Sequence, residues 1–137
     1  MPSLKTYRLF ISHSWTYGDA YEKLSSFLDE ADYFYWQDYS VPKDDPIHDA
    51  PNARLLEEAI RRQIMPTNCV LILAGVYSTY SKWINIELRL ASEMNKPILA
   101  IQPWGAERTS SIVKQYATEV VGWNTASIVG AIRRNAI

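Results

Sequence analysis

The chain has 137 residues, 47% hydrophobic and 21% charged, so one domain with its own apolar core is expected and a second would be crowded. Lys and Arg number 14 against 15 Asp and Glu, a net charge of −1, which excludes a dedicated nucleic-acid binder but not a small anionic ligand held locally. Five Trp and 9 Tyr against 3 Phe is a bias toward aromatics with a polar handle, suited to surfaces that stack on ligands or partners.

Met1–Thr6 has no basic stretch leading into a long apolar one, so no secretory signal is expected. Tyr7–Ile11 is a short strand, ended by Ser12-His13-Ser14. Asp19–Glu30 carries Tyr21, Leu24, Phe27 and Leu28 at helical spacing. The aromatic run Tyr33–Trp36 predicts a second strand. Gln37–Pro51 holds Pro42, Pro46 and Pro51 among several Asp residues and is expected to be irregular. Asn52–Ile64 is a helix with Leu55, Leu56, Ala59, Ile60 and Ile64 on one face, and Pro66 ends it.

Asn68–Ala74 is a continuous apolar run of the kind buried on both faces of a parallel sheet. It holds Cys69, the one cysteine, so neither an internal disulfide nor a cysteine metal cluster can form. The longest apolar stretch falls far short of the roughly 18 residues that span a bilayer, and a cytoplasmic chain with no membrane contact is expected. Ser81 caps a helix reaching Asn95, followed by a strand over Pro97–Ile101. A short helix over Ser110–Tyr116, a weak strand over Thr118–Val121 and a helix over Thr125–Arg134 complete the chain. This alternation requires crossovers and predicts one flavodoxin-like three-layer αβα domain over residues 1–137, built on a parallel sheet of about five strands. Ligands of such sheets lie beyond the carboxyl ends of the strands, here just after Ile11, Trp36 and Ala74.

Glu87 is the sharpest chemical feature. With Trp83 at zero on a helical wheel, Ile84, Leu90, Ala91 and Met94 form one apolar arc, and Glu87 falls inside it at roughly 40°. Asn85, Arg89, Ser92 and Glu93 gather on the other side. A carboxylate on a core-facing stripe costs several kcal/mol unless it is paired or lines a cavity. It therefore either faces a site or finds a buried Arg or the surface. Trp83, one turn earlier, either flanks that carboxylate or is ordinary core. Ser12 and His13 either donate to a ligand or form a turn and cap. His13 and His48 are the only histidines, with no metal-ligand spacing, so no metal is expected. No GxGxxG or GxxxxGK[ST] occurs, and the acidic positions of a phospho-acceptor domain are missing.

Phe10-Ile11-Ser12-His13-Ser14 resembles the first box of TIR domains, and Trp83-Ile84-Asn85-Ile86-Glu87 resembles their WxxxE arrangement around a catalytic glutamate. Trp36-Gln37-Asp38-Tyr39-Ser40-Val41-Pro42 stands where those domains have a second strand and BB loop. The wording is similar to the short TIR-like proteins of bacterial Thoeris antiphage defence. This resemblance implies an NAD-consuming enzyme that breaks the nicotinamide–ribose bond and forms a cyclic ADP-ribose isomer as a signal. It implies no bound cofactor, NAD being the substrate, and it implies self-association and a separate effector reached through the nucleotide product. Glu87 would be the catalytic residue; Ser12, His13, Trp36, Asp38, Ser40 and Trp83 would contact substrate. Two other readings stay open: a non-catalytic TIR module acting by protein assembly, and an enzyme like the nucleoside deoxyribosyltransferases.

Overall fold

A computed structural model describes residues 6–12, 18–39, 53–73, 82–102 and 111–137. The strands are β1 (Thr6–Ser12), β2 (Tyr35–Asp38), β3 (Cys69–Leu73), β4 (Ile98–Ile101) and β5 (Glu119–Val121). The helices are α1 (Gly18–Glu30), α2 (Ala53–Ile64), α3 (Lys82–Glu93), α4 (Ser111–Tyr116) and α5 (Thr125–Asn135). All pairings are parallel, in the order β2-β1-β3-β4-β5. The order reverses direction between β1 and β3, which is the flavodoxin-like arrangement and opens a crevice at that switch point.

Strand alternation sorts the core into two layers. Leu9, Ile11, Cys69, Leu71, Leu73, Leu99, Ile101 and Val121 pack with Leu24 and Leu28 of α1 and with Ile128, Val129, Ala131 and Ile132 of α5. Phe10, Val70, Ile72, Ile98 and Ala100 face the other way, onto Ile60 and Ile64 of α2, Leu88, Leu90 and Ala91 of α3, and Val113 of α4. Every residue of β3 and β4 is buried, as a central strand covered by helices on both sides must be. Among the described residues no helix is long and apolar enough to cross a membrane.

β2 departs from its expected place. It covers Tyr35–Asp38 rather than Tyr33–Trp36. Tyr33 adopts φ 57°, a left-handed conformation that closes the turn after α1. Arg133 of α5 holds that turn by donating to the carbonyls of Asp32 and Tyr33 at 3.2 and 3.3 Å, with its guanidinium over the Phe34 ring. The strand then starts two residues later and runs into the polar Gln37 and Asp38, which pair with Arg8 and Leu9. As the sheet edge it is mostly exposed, so its apolar content marks its limits poorly.

α3 ends in a Schellman motif. Asn95 takes φ 58°, the Lys96 amide donates to Ala91 and the Asn95 amide donates to Ser92. The lower edge of the sheet is tied by Asn68, whose Oδ1 accepts from the Arg8 amide at 2.8 Å and whose Nδ2 donates to the Ile137 carbonyl at 2.8 Å.

Candidate functional site

β1 and β3 finish side by side at the switch point, Ser12 being the register partner of Ile72. The chain leaving β3 returns as α3, whose first turn contains Trp83. Glu87 lies five residues into this helix, about 8 Å along the axis from its start. It is 5% exposed, and it is the one buried acidic residue among those described. The neighbours on its face are fully buried: Leu88, Leu90 and Ala91 show no exposure, while Asn85 and Ser92 across the helix are exposed. Glu87 thus occupies the middle of the buried arc that the wheel assigns to it. Leu88 widens that arc beyond the residues that periodicity selects. Glu87 is not without a partner where it lies. A carboxylate set among apolar groups can stabilise a cation that forms beside it far more strongly than one in water can.

The other expected contact residues lie on β1, β2 and α3 or outside the described residues. Ser12 ends β1, and Trp83 lies in the first turn of α3. His13 and Ser40 lie outside the described residues. Asp38 ends β2, exposed, with the following amide of Tyr39 donating to Leu9. Trp36 packs against the α1/α5 layer, and its indole Nε1 donates to Asp29 Oδ1 at 2.8 Å. It is therefore across the sheet from α3, and the structure does not bring it together with Glu87. An aromatic on an edge strand carries no sequence mark of which face it serves.

Cys69 is no nucleophile in this fold, since burial pushes its thiol up to about 12. Among the described residues no group of His, Cys, Asp and Glu is placed to hold a metal ion.

One feature of the helix pair around Glu87 escapes single-element patterning. Arg89 of α3 pairs with Glu57 of α2 and, at 3.2 Å, with Glu93 one turn along its own helix. Glu93 in turn pairs with Arg61 of α2 at 3.5 Å. The Arg89/Glu93 spacing is visible in the sequence; the partners on α2 are not.

The family described as Thoeris protein ThsB, TIR-like domain, matches residues 10–108 of the chain. No curated protein sequence matches it. Among solved structures, the chain is similar to a conserved protein from Enterococcus faecalis V583, with TM-score 0.62 and 8% identity over 95% of this chain and 99% of that one. It is also similar to the CMP N-glycosidase BcmB of Clostridium botulinum, with TM-score 0.55 and 16% identity over 93% and 98% of the two chains. A prokaryotic SEFIR domain aligns with TM-score 0.51 and 13% identity over 93% and 94%. At these identities the structural likenesses speak for the fold.

Proposed function

The chain belongs to the Thoeris ThsB TIR-like domain family, and from that premise we propose that it cleaves the nicotinamide–ribose bond of NAD, with Glu87 as the catalytic carboxylate. One observation carries the reading: among the described residues a single buried acid, Glu87, stands at the centre of α3, the helix that follows the central strand β3 in the chain.

The chemistry suits one carboxylate. Nicotinamide in NAD is already cationic, so it departs as a neutral molecule with the bonding electron pair and needs no general acid. Positive charge passes to the ribose in an oxocarbenium-like transition state. A fixed negative group in a poorly hydrated cleft stabilises that charge without reorganising. Ser12, which ends β1, and Trp83, in the first turn of α3, would bind and cover the ribose, with His13, Asp38 and Ser40 making further substrate contacts. Capture of the cation by a ring nitrogen or hydroxyl of the same nucleotide would give a cyclic ADP-ribose isomer, whereas water would give free ADP-ribose. A diffusible product of this kind would reach a separate effector, the role expected of a Thoeris signal. The N-glycosidase among the fold relatives acts by its name on a nucleotide's N-glycosidic bond, and that bond class is compatible with this proposal.

The test is nicotinamide release from NAD by purified protein, at concentrations that allow self-association, with the products resolved by mass spectrometry. Glu87→Gln keeps the size of the side chain and removes its charge. Its turnover should fall by about two orders of magnitude, the scale of losing one transition-state electrostatic contact. A Gln variant with near-normal turnover would refute the electrostatic role of Glu87. Wild type that self-associates yet releases no nicotinamide would favour the assembly-module reading instead.

A further inference from the structure

We infer that Glu57, Arg61, Arg89 and Glu93 form a two-rung ladder that fixes the orientation of α3 and thereby the position of Glu87, an inference that rests on the catalytic reading of Glu87. One rung joins Glu57 of α2 to Arg89 of α3, and the other joins Arg61 of α2 to Glu93 of α3 at 3.5 Å. On each helix the two rung positions are one turn apart, four residues, so the rungs stack along two parallel, in-register helices. Arg89 also pairs with Glu93 at 3.2 Å, which links one rung to the other.

The number of rungs matters mechanically. A single ion pair acts as a swivel, about which a helix can still turn or slide. Two pairs separated along the axis resist both motions. The ladder occupies the partly exposed flank of α3, roughly 200° around the helix from Glu87 for Arg89 and roughly 240° for Glu93. It adds nothing to the apolar packing of the buried face, which Leu88, Leu90 and Ala91 supply. Side-chain ends lie about 5–6 Å from a helix axis, so turning α3 by about 10° carries the Glu87 carboxylate about 1 Å. Displacement on that scale can cost a reaction a hundredfold in rate. Half-exposed ion pairs, by contrast, contribute little to global stability. Glu57, Arg61, Arg89 and Glu93 are thus positioning residues for the proposed reaction, with an effect on rate out of proportion to their effect on unfolding.

Arg54 and Glu58 supply the control, since they pair at 3.5 Å within α2 and, among the described residues, form no ion pair with another element. The experiment compares wild type, the double variant Glu57→Gln/Arg61→Gln, and Glu58→Gln. It measures nicotinamide release, thermal unfolding and the carbon-13 signal of the Glu87 carboxyl group. The double variant should lose about tenfold or more in kcat with KM within about twofold. Its Tm should move by less than about 4 °C, and its Glu87 signal should shift. Glu58→Gln should match wild type in all three. A double variant with wild-type kcat and an unmoved Glu87 signal would overturn the inference. If wild type releases no nicotinamide, the functional reading falls separately, and the Glu87 signal still decides the ladder: shifted in the double variant alone it stands, unmoved it falls.

Discussion

Leu71 and Ile72 are adjacent on β3, both wholly buried, and their side chains enter opposite layers of the core. Leu71 sits between Ile11 and Leu99 over α1 and α5; Ile72 lies beneath α2 and α3. Truncating either to alanine removes buried carbons and leaves a cavity in a layer held from both sides, at a cost of about 2–5 kcal/mol. For a chain of 137 residues the unfolding entropy is roughly 290 cal/mol/K, so a loss of 3 kcal/mol lowers Tm by about 10 °C. Leu71→Ala and Ile72→Ala should therefore be similarly destabilised when melting is followed by circular dichroism. Their activities should part company. Measured well below both melting points and scaled to folded protein, nicotinamide release should stay within about twofold of wild type in Leu71→Ala. In Ile72→Ala it should fall by about tenfold, because that cavity lies under the helix carrying Glu87 and lets it settle. Equal losses of activity in the two variants would refute the separation of the domain into a supporting layer and a site-bearing layer. A Tm drop below about 3 °C in either would refute the burial argument itself.

Four further outcomes follow from the same structure. Asn95 takes a left-handed φ at the end of α3, so Asn95→Ala should cost about 1 kcal/mol in denaturant titration while Asn95→Gly should be neutral or stabilising. Hydrogen bonds from Asn135 and then from Arg134, opposed by partial desolvation, hold the Glu119 carboxyl below its ordinary value of 4.5. A carboxyl depressed on folding adds stability above 4.5 that is lost as pH falls through its folded-state value, so the Tm gap between wild type and Glu119→Gln should narrow as the pH drops below 4.5. Cys69, fully buried with its thiol raised to about 12, should resist a thiol reagent in native protein and react at the rate of global opening, checked by mass shift with and without denaturant. Trp36→Phe removes the hydrogen bond to Asp29 and should lower stability by about 1 kcal/mol while leaving KM for NAD unchanged; a raised KM would return Trp36 to the substrate site.

The sequence by itself determined the local periods and hence the order of elements. A short, unbroken apolar run containing β-branched residues reads as a strand covered on both faces, and Cys69–Leu73 is one. The repeat of apolar positions in α3 placed Glu87 on the helix's apolar face without reference to any other element, because which residues share a helix face follows from angle alone. Tertiary structure decided everything that depends on a distant neighbour. The limits of β2 were set by Arg133 reaching the turn from α5 and by pairing with β1, neither of which leaves a trace in the polar run Gln37-Asp38. The side of the sheet taken by Trp36 was set by Asp29 and the α1 layer, since a half-exposed edge residue can serve either face. The ladder between α2 and α3 joins residues 32 positions apart, and ion pairs at that range become visible only once two helices lie side by side. Local periodicity thus placed Glu87 in a buried arc; packing between elements decided which residues surround that arc.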